Sequence, residues 1–254
     1  MLSDGPDDSR VKVLQAQDLY VSFPPLHVLD GFSLSTGYNE VVVLVGPSGA
    51  GKSTLLDCLT GLRAPDAGTV TTGYARHETA YLMQDTALLP WRSLLGNALV
   101  GAAIMGLKIP SQNAKELLEL MGVSPNTLLP NEASEGMRQR TALVRTLLHR
   151  PKLVFLDEPF SHIDLPRKLS LQRWFLSLVK DQETSAIIVT HDLEDAITIG
   201  DRVLILHGPP LRIHKEISVA TLRGSIDPIE LRSRPIFGEL FSALWSGVNA
   251  RDTL

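Results

Sequence analysis

The sequence predicts an α/β domain built around a mainly parallel β-sheet. Short, continuous runs of β-branched and other apolar residues recur along the chain, as in strands that are buried on both faces. Patterns with helical periodicity separate these runs, and one long segment, residues 88–150, has almost no strand signal. Because buried strands that alternate with helices usually pair in parallel, these observations favour the α/β class.

The first predicted elements are antiparallel strands. Residues 11–23 and 27–35 alternate apolar and polar side chains, which is typical of strands with one exposed face. Residues 1–10 are acidic and polar, so we expect them to be disordered, and they do not resemble a signal peptide. We therefore expect a single domain that begins near residue 11 and continues to residue 254.

The strands of the parallel sheet are expected downstream. Residues 40–45, EVVVLV, lead directly into a glycine-rich turn and then into a helical pattern at 52–62. The remaining core elements are predicted as strands at 79–83, 153–156, 186–189 and 203–206, and as helices at 166–180 and 192–199.

Residues 88–150 are interpreted as an all-helical insertion between two core strands. Within this segment, residues 111–121 and 136–149 carry amphipathic helical patterns. Its arginines recur at helical spacing, so we interpret them as a solvated helix face: Arg138, Arg140, Arg145 and Arg150. The C-terminal extension, residues 208–254, has a weaker pattern, with a hairpin-like stretch and a helix near 235–245.

Composition excludes several classes of protein. Of the 254 residues, 44% are hydrophobic, which is ample for a buried core, and the net charge of −4 argues against a nucleic-acid-binding protein. Cys58 is the only cysteine, which favours a reducing compartment, and we interpret it as a small buried side chain. Uninterrupted apolar runs are shorter than the ~18 residues that a membrane span needs.

A phosphate-binding loop follows the strand at 40–45. GPSGAGKST fits the pattern G-x-x-x-x-G-K-[ST] between a strand and a helix, which is the context that the motif requires. Backbone N–H groups in such a loop surround phosphate oxygens, Lys52 can reach the β- and γ-phosphates, and Ser53 can hold Mg²⁺. The predicted nucleotide-binding residues of this loop are Gly46, Pro47, Ser48, Gly49, Ala50, Gly51, Lys52, Ser53 and Thr54.

Three further polar residues follow predicted strands. Asp157 and Glu158 end the run VFLDE, where Asp157 is expected to hold Mg²⁺ and Glu158 to accept a proton from an attacking water. The alternative is that these two carboxylates cap a helix. His191 ends the next strand at the same sheet edge, where it can hydrogen-bond the γ-phosphate; the alternative is a purely structural histidine.

These motifs, in this order, resemble the ATP-binding subunits of ABC (ATP-binding cassette) transporters over residues 11 to about 206. GPSGAGKST corresponds to the Walker A motif, LVFLDEP to Walker B, VTHD to the switch histidine, and residues 161–164 to the D-loop. The resemblance implies a P-loop NTPase core with an antiparallel β-subdomain and an inserted helical subdomain, and an ATPase that uses ATP and Mg²⁺.

The same resemblance assigns roles to two more residues. YLMQD places Gln84 at the Q-loop, near the metal ion and the surface that docks onto a membrane partner. Phe23 falls where an aromatic ring stacks on adenine, for which only the ring face is needed. The alternative for Phe23 is a core aromatic at a strand end.

The family signature, Leu-Ser-Gly-Gly-Gln or Leu-Ser-Gly-Gly-Met, here reads Ala133-Ser134-Glu135-Gly136-Met137. In the family this helix N-terminus contacts the γ-phosphate bound to the other subunit of a head-to-tail dimer, which implies phosphate contacts for Ser134 and Gly136. A carboxylate at Glu135 that faced this phosphate at ~6 Å would be repelled by roughly 3 kcal/mol at an effective dielectric of ~20. We favour the alternative in which Glu135 points to solvent and complements the helix dipole.

The segment QDTALLPW resembles the segment that follows the Q-loop in importers of nitrate, sulfonates, taurine and thiamine pyrimidine precursors. Within it, Trp91 is interpreted as either a docking-surface aromatic or a core aromatic. The resemblance implies these partners: a second cassette chain, expected to be a copy of this chain in a homodimer, transmembrane permease subunits and, indirectly, a periplasmic or extracellular solute-binding protein. It places the chain at the cytoplasmic face of the membrane. The open alternatives are a catalytically weak cassette of a heterodimer and a soluble ABC ATPase that acts outside transport.

Overall fold

The computed structural model describes residues 12–124, 128–161, 163–224 and 226–250. The expectation of disorder concerns residues 1–10, which lie outside the described residues. His162, in the segment predicted as the D-loop, also lies outside them. Within them, the elements form a three-stranded antiparallel sheet, a six-stranded mixed sheet and helices on both faces of the mixed sheet. This architecture confirms the predicted fold class.

The antiparallel sheet comes from the N-terminal part of the chain. It consists of β1 (Lys12–Phe23), β2 (Leu26–Gly37) and β4 (Ala67–Thr72) in the order β2-β1-β4. The alternating pattern predicted the first two strands correctly. The third was missed because its residues, AGTVTT, are nearly all exposed, so no apolar face marks it.

The mixed sheet has the order β5-β6-β7-β3-β8-β9. Its strands are β3 (Val41–Val45), β5 (Thr79–Leu82), β6 (Leu153–Asp157), β7 (Ser185–Val189), β8 (Arg202–His207) and β9 (Arg212–Ser218). The first five strands in this order run parallel, and β9 pairs antiparallel with β8. The continuous apolar runs therefore predicted the parallel core, and the hairpin-like stretch after residue 208 is β9.

The helices connect these strands and extend the chain at its C-terminal part. They are α1 (Lys52–Leu59), α2 (Leu94–Ile104), α3 (Ser111–Leu120), α4 (Glu135–Leu147), α5 (Leu165–Gln182), α6 (Leu193–Ile199), α7 (Val219–Arg223) and α8 (Pro235–Val248). Helices α2, α3 and α4 lie between β5 and β6, as expected for an inserted helical subdomain. Helix α1 ends three residues before the predicted boundary at 62.

Two apolar clusters flank the mixed sheet, and β3 contributes to both. Val41, Val43 and Val45 pack in the cluster that includes the inserted helices, whereas Val42 and Leu44 pack in the cluster that includes α1 and the antiparallel sheet. The alternation of side chains along a strand explains this division, and it accounts for the absence of a polar face in VVVLV. Burial on both faces fixes the position of the loop that follows β3.

Cys58 lies on α1 and is 1% exposed, in agreement with its interpretation as a buried side chain. Burial raises the pKa of this thiol to about 11, so it is neutral at physiological pH. Among the residues that the structure describes, no helix is both long and apolar enough to span a bilayer.

Candidate nucleotide site

The phosphate loop and the predicted site residues that follow the parallel strands lie at one edge of the mixed sheet. β5, β6, β7 and β3 are parallel neighbours, with Leu82 opposite Leu156 and Val189 opposite both Asp157 and Leu44. The chain leaves this edge at the carboxyl end of each strand, where open α/β sheets bind their ligands. One edge therefore carries the phosphate loop and the residues after β5, β6 and β7.

The loop from residue 46 to residue 51 is held close to its neighbours. A Cβ atom at Gly46 would lie 2.3 Å from the carbonyl oxygen of Leu206, and one at Gly51, where φ is 108°, would lie 2.6 Å from Cγ1 of Val28. Ala50 is buried, and its N–H donates to the carbonyl of Pro47 at 3.4 Å. The motif glycines at 46 and 51 are thus required by close approach and by backbone conformation.

Helix α1 begins at Lys52, directly after Gly51, so its N-terminus faces the loop. The Nζ atom of Lys52 donates to the carbonyl oxygens of Gly46 at 2.9 Å and Pro47 at 2.8 Å. Burial lowers the pKa of Lys52, and the nearby carboxylates of Glu158 and Asp157 act in the opposite direction. This geometry places an ammonium group at the mouth of the loop, where a phosphate chain would be held.

Ser53 and Asp157 form a pair of oxygen donors. The hydroxyl of Ser53 donates to Oδ2 of Asp157 at 2.9 Å, and Asp157 is 3% exposed. Burial raises the pKa of Asp157, while the hydrogen bond from Ser53 counteracts this increase. A hydroxyl and a carboxylate beside a phosphate loop fit Mg²⁺, which prefers oxygen ligands and takes the rest of its shell from phosphates and water.

Glu158 is held in an unusual backbone conformation. Its φ of 53° lies in the left-handed region, which non-glycine residues adopt at a cost of order 1 kcal/mol and mainly at functional sites. Its N–H donates to the carbonyl of Val189 at 2.9 Å, and its own carbonyl accepts from Nε2 of Gln139 at 3.0 Å and Oγ of Ser161 at 2.8 Å. The surroundings therefore fix the direction in which the carboxylate leaves the strand.

The carboxylate of Glu158 meets the end of β7. Its Oε1 lies 2.7 Å from Nδ1 of His191 and accepts from the backbone N–H of His191 at 3.1 Å. The helix-capping alternative does not describe this geometry, because Asp164 occupies the N-cap of α5 and Asp192 that of α6. The His191 side chain is 74% exposed, so it can also face a ligand.

Gln84 lies exposed two residues beyond β5, at the same sheet edge. The segment that contains it is tied to the helical insertion, because Arg145 of α4 donates to the carbonyls of Ala87 at 2.9 Å and Thr86 at 2.8 Å. The interpretation of the arginines of α4 as a solvated face was wrong for Arg145. Its guanidinium is half-buried and supports a loop, since its two nitrogens match two neighbouring carbonyls.

Phe23 lies at the end of β1 and is 46% exposed, so the core-aromatic alternative is wrong. The guanidinium of Arg63 lies over its ring at 4.2 Å from the centroid, a cation–π arrangement. Because Arg63 covers one face of this exposed ring, a base would have to stack on the other face. Stacking on adenine stays a prediction.

The signature segment forms a capped helix start. Oγ of Ser134 accepts a hydrogen bond from the N–H of Met137 at 3.3 Å, and Gly136 lies in the first turn of α4. The Glu135 side chain is 62% exposed and forms an ion pair with Arg138 of the next turn. The structure therefore agrees with the solvent-facing alternative for Glu135.

Sequence reasoning missed the contacts that join α4 to the strand-end site. Nε2 of Gln139 donates to the carbonyl of Glu158 and to Oγ of Ser161, at 3.0 and 2.6 Å. The only available signal was the position of Gln139 one turn beyond the signature. Helical spacing gives the face of a residue but not its partner across the fold, so this contact was not predictable.

Comparison with known proteins identifies the class. Residues 29–161, just over half of the chain, match the family described as ABC transporter. The chain therefore belongs to the ABC transporter family, as its ATP-binding cassette, and is an ATPase of the ABC class. A solved structure described as an ATP-binding subunit of an ABC transporter has a TM-score of 0.75 and 25% identity, and the alignment covers 92% of this chain and 99% of that one.

The chain is also similar to individual ABC ATP-binding proteins. The chain is 34% identical over 219 residues to an uncharacterized ABC transporter ATP-binding protein, YtlC, of Bacillus subtilis, which covers 83% of this chain and 84% of the relative. It is 37% identical over 212 residues to an aliphatic sulfonates import ATP-binding protein, SsuB 2, of Agrobacterium fabrum (81% and 80% covered). A formylaminopyrimidine import ATP-binding protein, ThiZ, of Halalkalibacterium halodurans is 34% identical over 197 residues (76% and 78% covered).

Proposed function

We propose that this chain is the ATP-hydrolysing subunit of an importer of small solutes, acting as a head-to-tail homodimer beneath separate membrane subunits. The observation that carries the proposal is the contact between Glu158 and His191 beside the Ser53–Asp157 pair and Lys52. The import function is supported by the relatives described as import ATP-binding proteins. In this proposal the chain lies at the cytoplasmic face of the membrane and a solute-binding protein acts on the other side.

The residues divide the work of nucleotide binding. Phe23 stacks on adenine, the loop from Gly46 to Gly51 surrounds the phosphates with N–H groups, and Lys52 neutralises charge on the β- and γ-phosphates. Ser53 and Asp157, together with Gln84, would hold Mg²⁺, which when bound offsets negative charge on the phosphates. Thr54, in the first turn of α1, completes the binding motif.

Hydrolysis depends on the position of Glu158. Its carboxylate accepts a proton from the attacking water, and His191, within hydrogen-bond reach of that carboxylate, contacts the γ-phosphate. Ser134 and the amide of Gly136 contact the γ-phosphate bound to the second subunit, so the site is complete only in the dimer. Positioning and charge stabilisation supply most of the catalysis, as in other phosphoryl transfers.

The Glu158→Gln variant tests this proposal. In the complex reconstituted with its permease in vesicles, we expect ATP binding to be retained and turnover to fall by at least about 100-fold, because general-base catalysis contributes factors of that size. The matched control is Glu239→Gln, an exposed position on α8, which should hydrolyse ATP at the native rate. A native complex that turns over no faster than Glu158→Gln would contradict the proposal.

One observation favours a second candidate function. Glu135 replaces a signature glycine, so the chain could bind ATP and supply a weak half-site to a different, more active cassette. Purification of the intact transporter separates the two functions, because the second one requires two kinds of cassette chain in one complex and the first requires only one.

A further inference from the structure

The first turn of α4 contains a connected pair of opposite charges. The Glu135 carboxylate is bound by Nη2 of Arg138, three residues later on the helix, and their side chains are 62% and 32% exposed. Nη1 of the same guanidinium donates to the carbonyl oxygens of Pro130 and Ala133, each at 3.3 Å. Arg138 therefore connects the turn that precedes the helix to the first helical residue.

The position of Glu135 creates an electrostatic conflict. A carboxylate in the first helical turn is stabilised by the free N–H groups of that turn. The same N–H groups are the ones that would bind a phosphate, which an unpaired carboxylate repels. The ion pair resolves this conflict, because Glu135 and Arg138 together carry no net charge and so do not repel a phosphate at this helix start.

We infer that Arg138 is a positioning residue that makes a glutamate tolerable in the signature of this chain. It cancels the charge of Glu135, whose side chain is 62% exposed, so that the signature segment can still contact a phosphate bound to the second subunit. This inference rests on the proposed function, since it needs a dimer in which α4 approaches nucleotide on the other subunit.

The test measures ATP-driven dimer formation by sedimentation velocity in the full chain with Glu158→Gln, which blocks turnover. We expect Arg138→Ala to raise the ATP concentration for half-maximal dimer formation by at least about 10-fold, equivalent to about 1.4 kcal/mol. ATP affinity of the monomer, measured with a fluorescent ATP analogue at low protein concentration, should stay within twofold of the parent. A defect in dimer formation without a loss of ATP affinity in the monomer would place the effect at the signature segment, which contacts the second subunit.

The double variant Glu135→Gln/Arg138→Ala separates charge from structure. Removal of the unpaired carboxylate should restore dimer formation to within about threefold of Glu135→Gln alone. Arg138→Lys, which keeps the charge, should lose less than Arg138→Ala. The Arg138→Ala defect should also shrink at 0.5 M salt, where the Debye length is about 4 Å, whereas lost hydrogen bonds to Pro130 and Ala133 would not recover.

Arg173→Ala, which removes an exposed arginine from α5, is the matched control and should dimerise like the parent. Equal defects in Arg138→Ala and in the double variant would overturn the inference, as would no defect in Arg138→Ala. If the parent chain bound no ATP or formed no ATP-driven dimer, the proposed function would fall first and the inference with it. ATP-driven dimers that are insensitive to residue 138 would overturn the inference alone.

Discussion

Residue 158 shows how a single backbone conformation serves the site. At a φ of 53° the chain turns sharply at the end of β6, and the Glu158 carboxylate reaches His191 at the end of the adjacent strand. The strain is offset by bonds at both ends of the residue, from Val189 on one side and from Gln139 and Ser161 on the other. A flexible glutamate in an extended strand would not be directed in this way.

Phe23→Ala should weaken ATP binding to the monomer about 10-fold, because base–aromatic stacking contributes on the order of 1–3 kcal/mol. Phe23→Tyr keeps the ring and should bind within about twofold of the native chain. Titration with a fluorescent ATP analogue measures both. Equal affinities for native and Phe23→Ala would show that this ring, although exposed, does not contact the base.

At this scale the sequence predicted residues that the structure brings to one sheet edge, but it did not predict the contacts that hold them there. Lys52, Asp157 and His191 follow buried strands in recognisable motifs, and parallel strands bring them to one edge. Gln139 and Arg145 were not predicted, because both act across the fold on backbone carbonyls. A carbonyl partner leaves no mark in the amino-acid sequence.

Helix α4 connects the signature, the backbone of Glu158 and the segment that follows β5. Its N-terminus carries the signature, Gln139 bonds the backbone of Glu158, and Arg145 supports the segment after β5 through Thr86 and Ala87. Three regions of the proposed site are thus attached to one helix of 13 residues. A displacement of α4 would act on all three regions together.

Gln139→Ala should lower kcat about 10-fold while KM and the affinity for ATP stay close to native values. The substitution removes a donor from the Glu158 carbonyl without touching nucleotide, so the carboxylate is less well positioned during the chemical step. Steady-state ATPase kinetics measure the split between kcat and KM. The control is Gln112→Ala on the exposed face of α3, and a rise in KM alone for Gln139→Ala would contradict a positioning role.

Elements differ in how visible they are in sequence. The strands of the parallel core were predicted because burial on both faces demands continuous apolar runs, and α3 because only one face is buried. Helix α2 lies in the segment predicted to be all-helical, but its own bounds were not predicted, because its sequence LLGNALVGAAI is almost entirely apolar and has no helical period. Tertiary packing against the rest of the insertion decides its conformation.

The whole molecule contains a buried charge network between α5 and α6. Lys168 bonds Asp192 at 2.8 Å and Asp195 at 3.1 Å, and Gln172 donates to Asp195 at 2.9 Å. Asp195 is 3% exposed, and burial raises its pKa to about 6 from the ordinary value of 3.8. The folded chain therefore holds this proton more tightly than the unfolded chain does.

This network predicts a pH dependence of global stability. Between pH 4 and 6 the folded state binds the extra proton, so the Asp195 contribution to the free energy of unfolding decreases as pH rises and is constant above about pH 6. Relative to the native chain, Asp195→Asn should gain on the order of 2–3 kcal/mol between pH 4 and 7. Urea unfolding at several pH values measures this difference, with the exposed Asp181→Asn as control, and parallel pH profiles for native and Asp195→Asn would contradict it.

The contact between Gly46 and β8 has a consequence for how this sequence can change over generations. A Cβ atom at residue 46 would lie 2.3 Å from the Leu206 carbonyl, so every missense mutation of that codon displaces either the loop or the strand. No side-chain change at Leu206 can compensate, because the obstacle is a backbone atom. The backbone of a strand 160 residues away in the sequence therefore requires glycine at this position. Mutant libraries built to alter nucleotide preference should keep Gly46 unchanged.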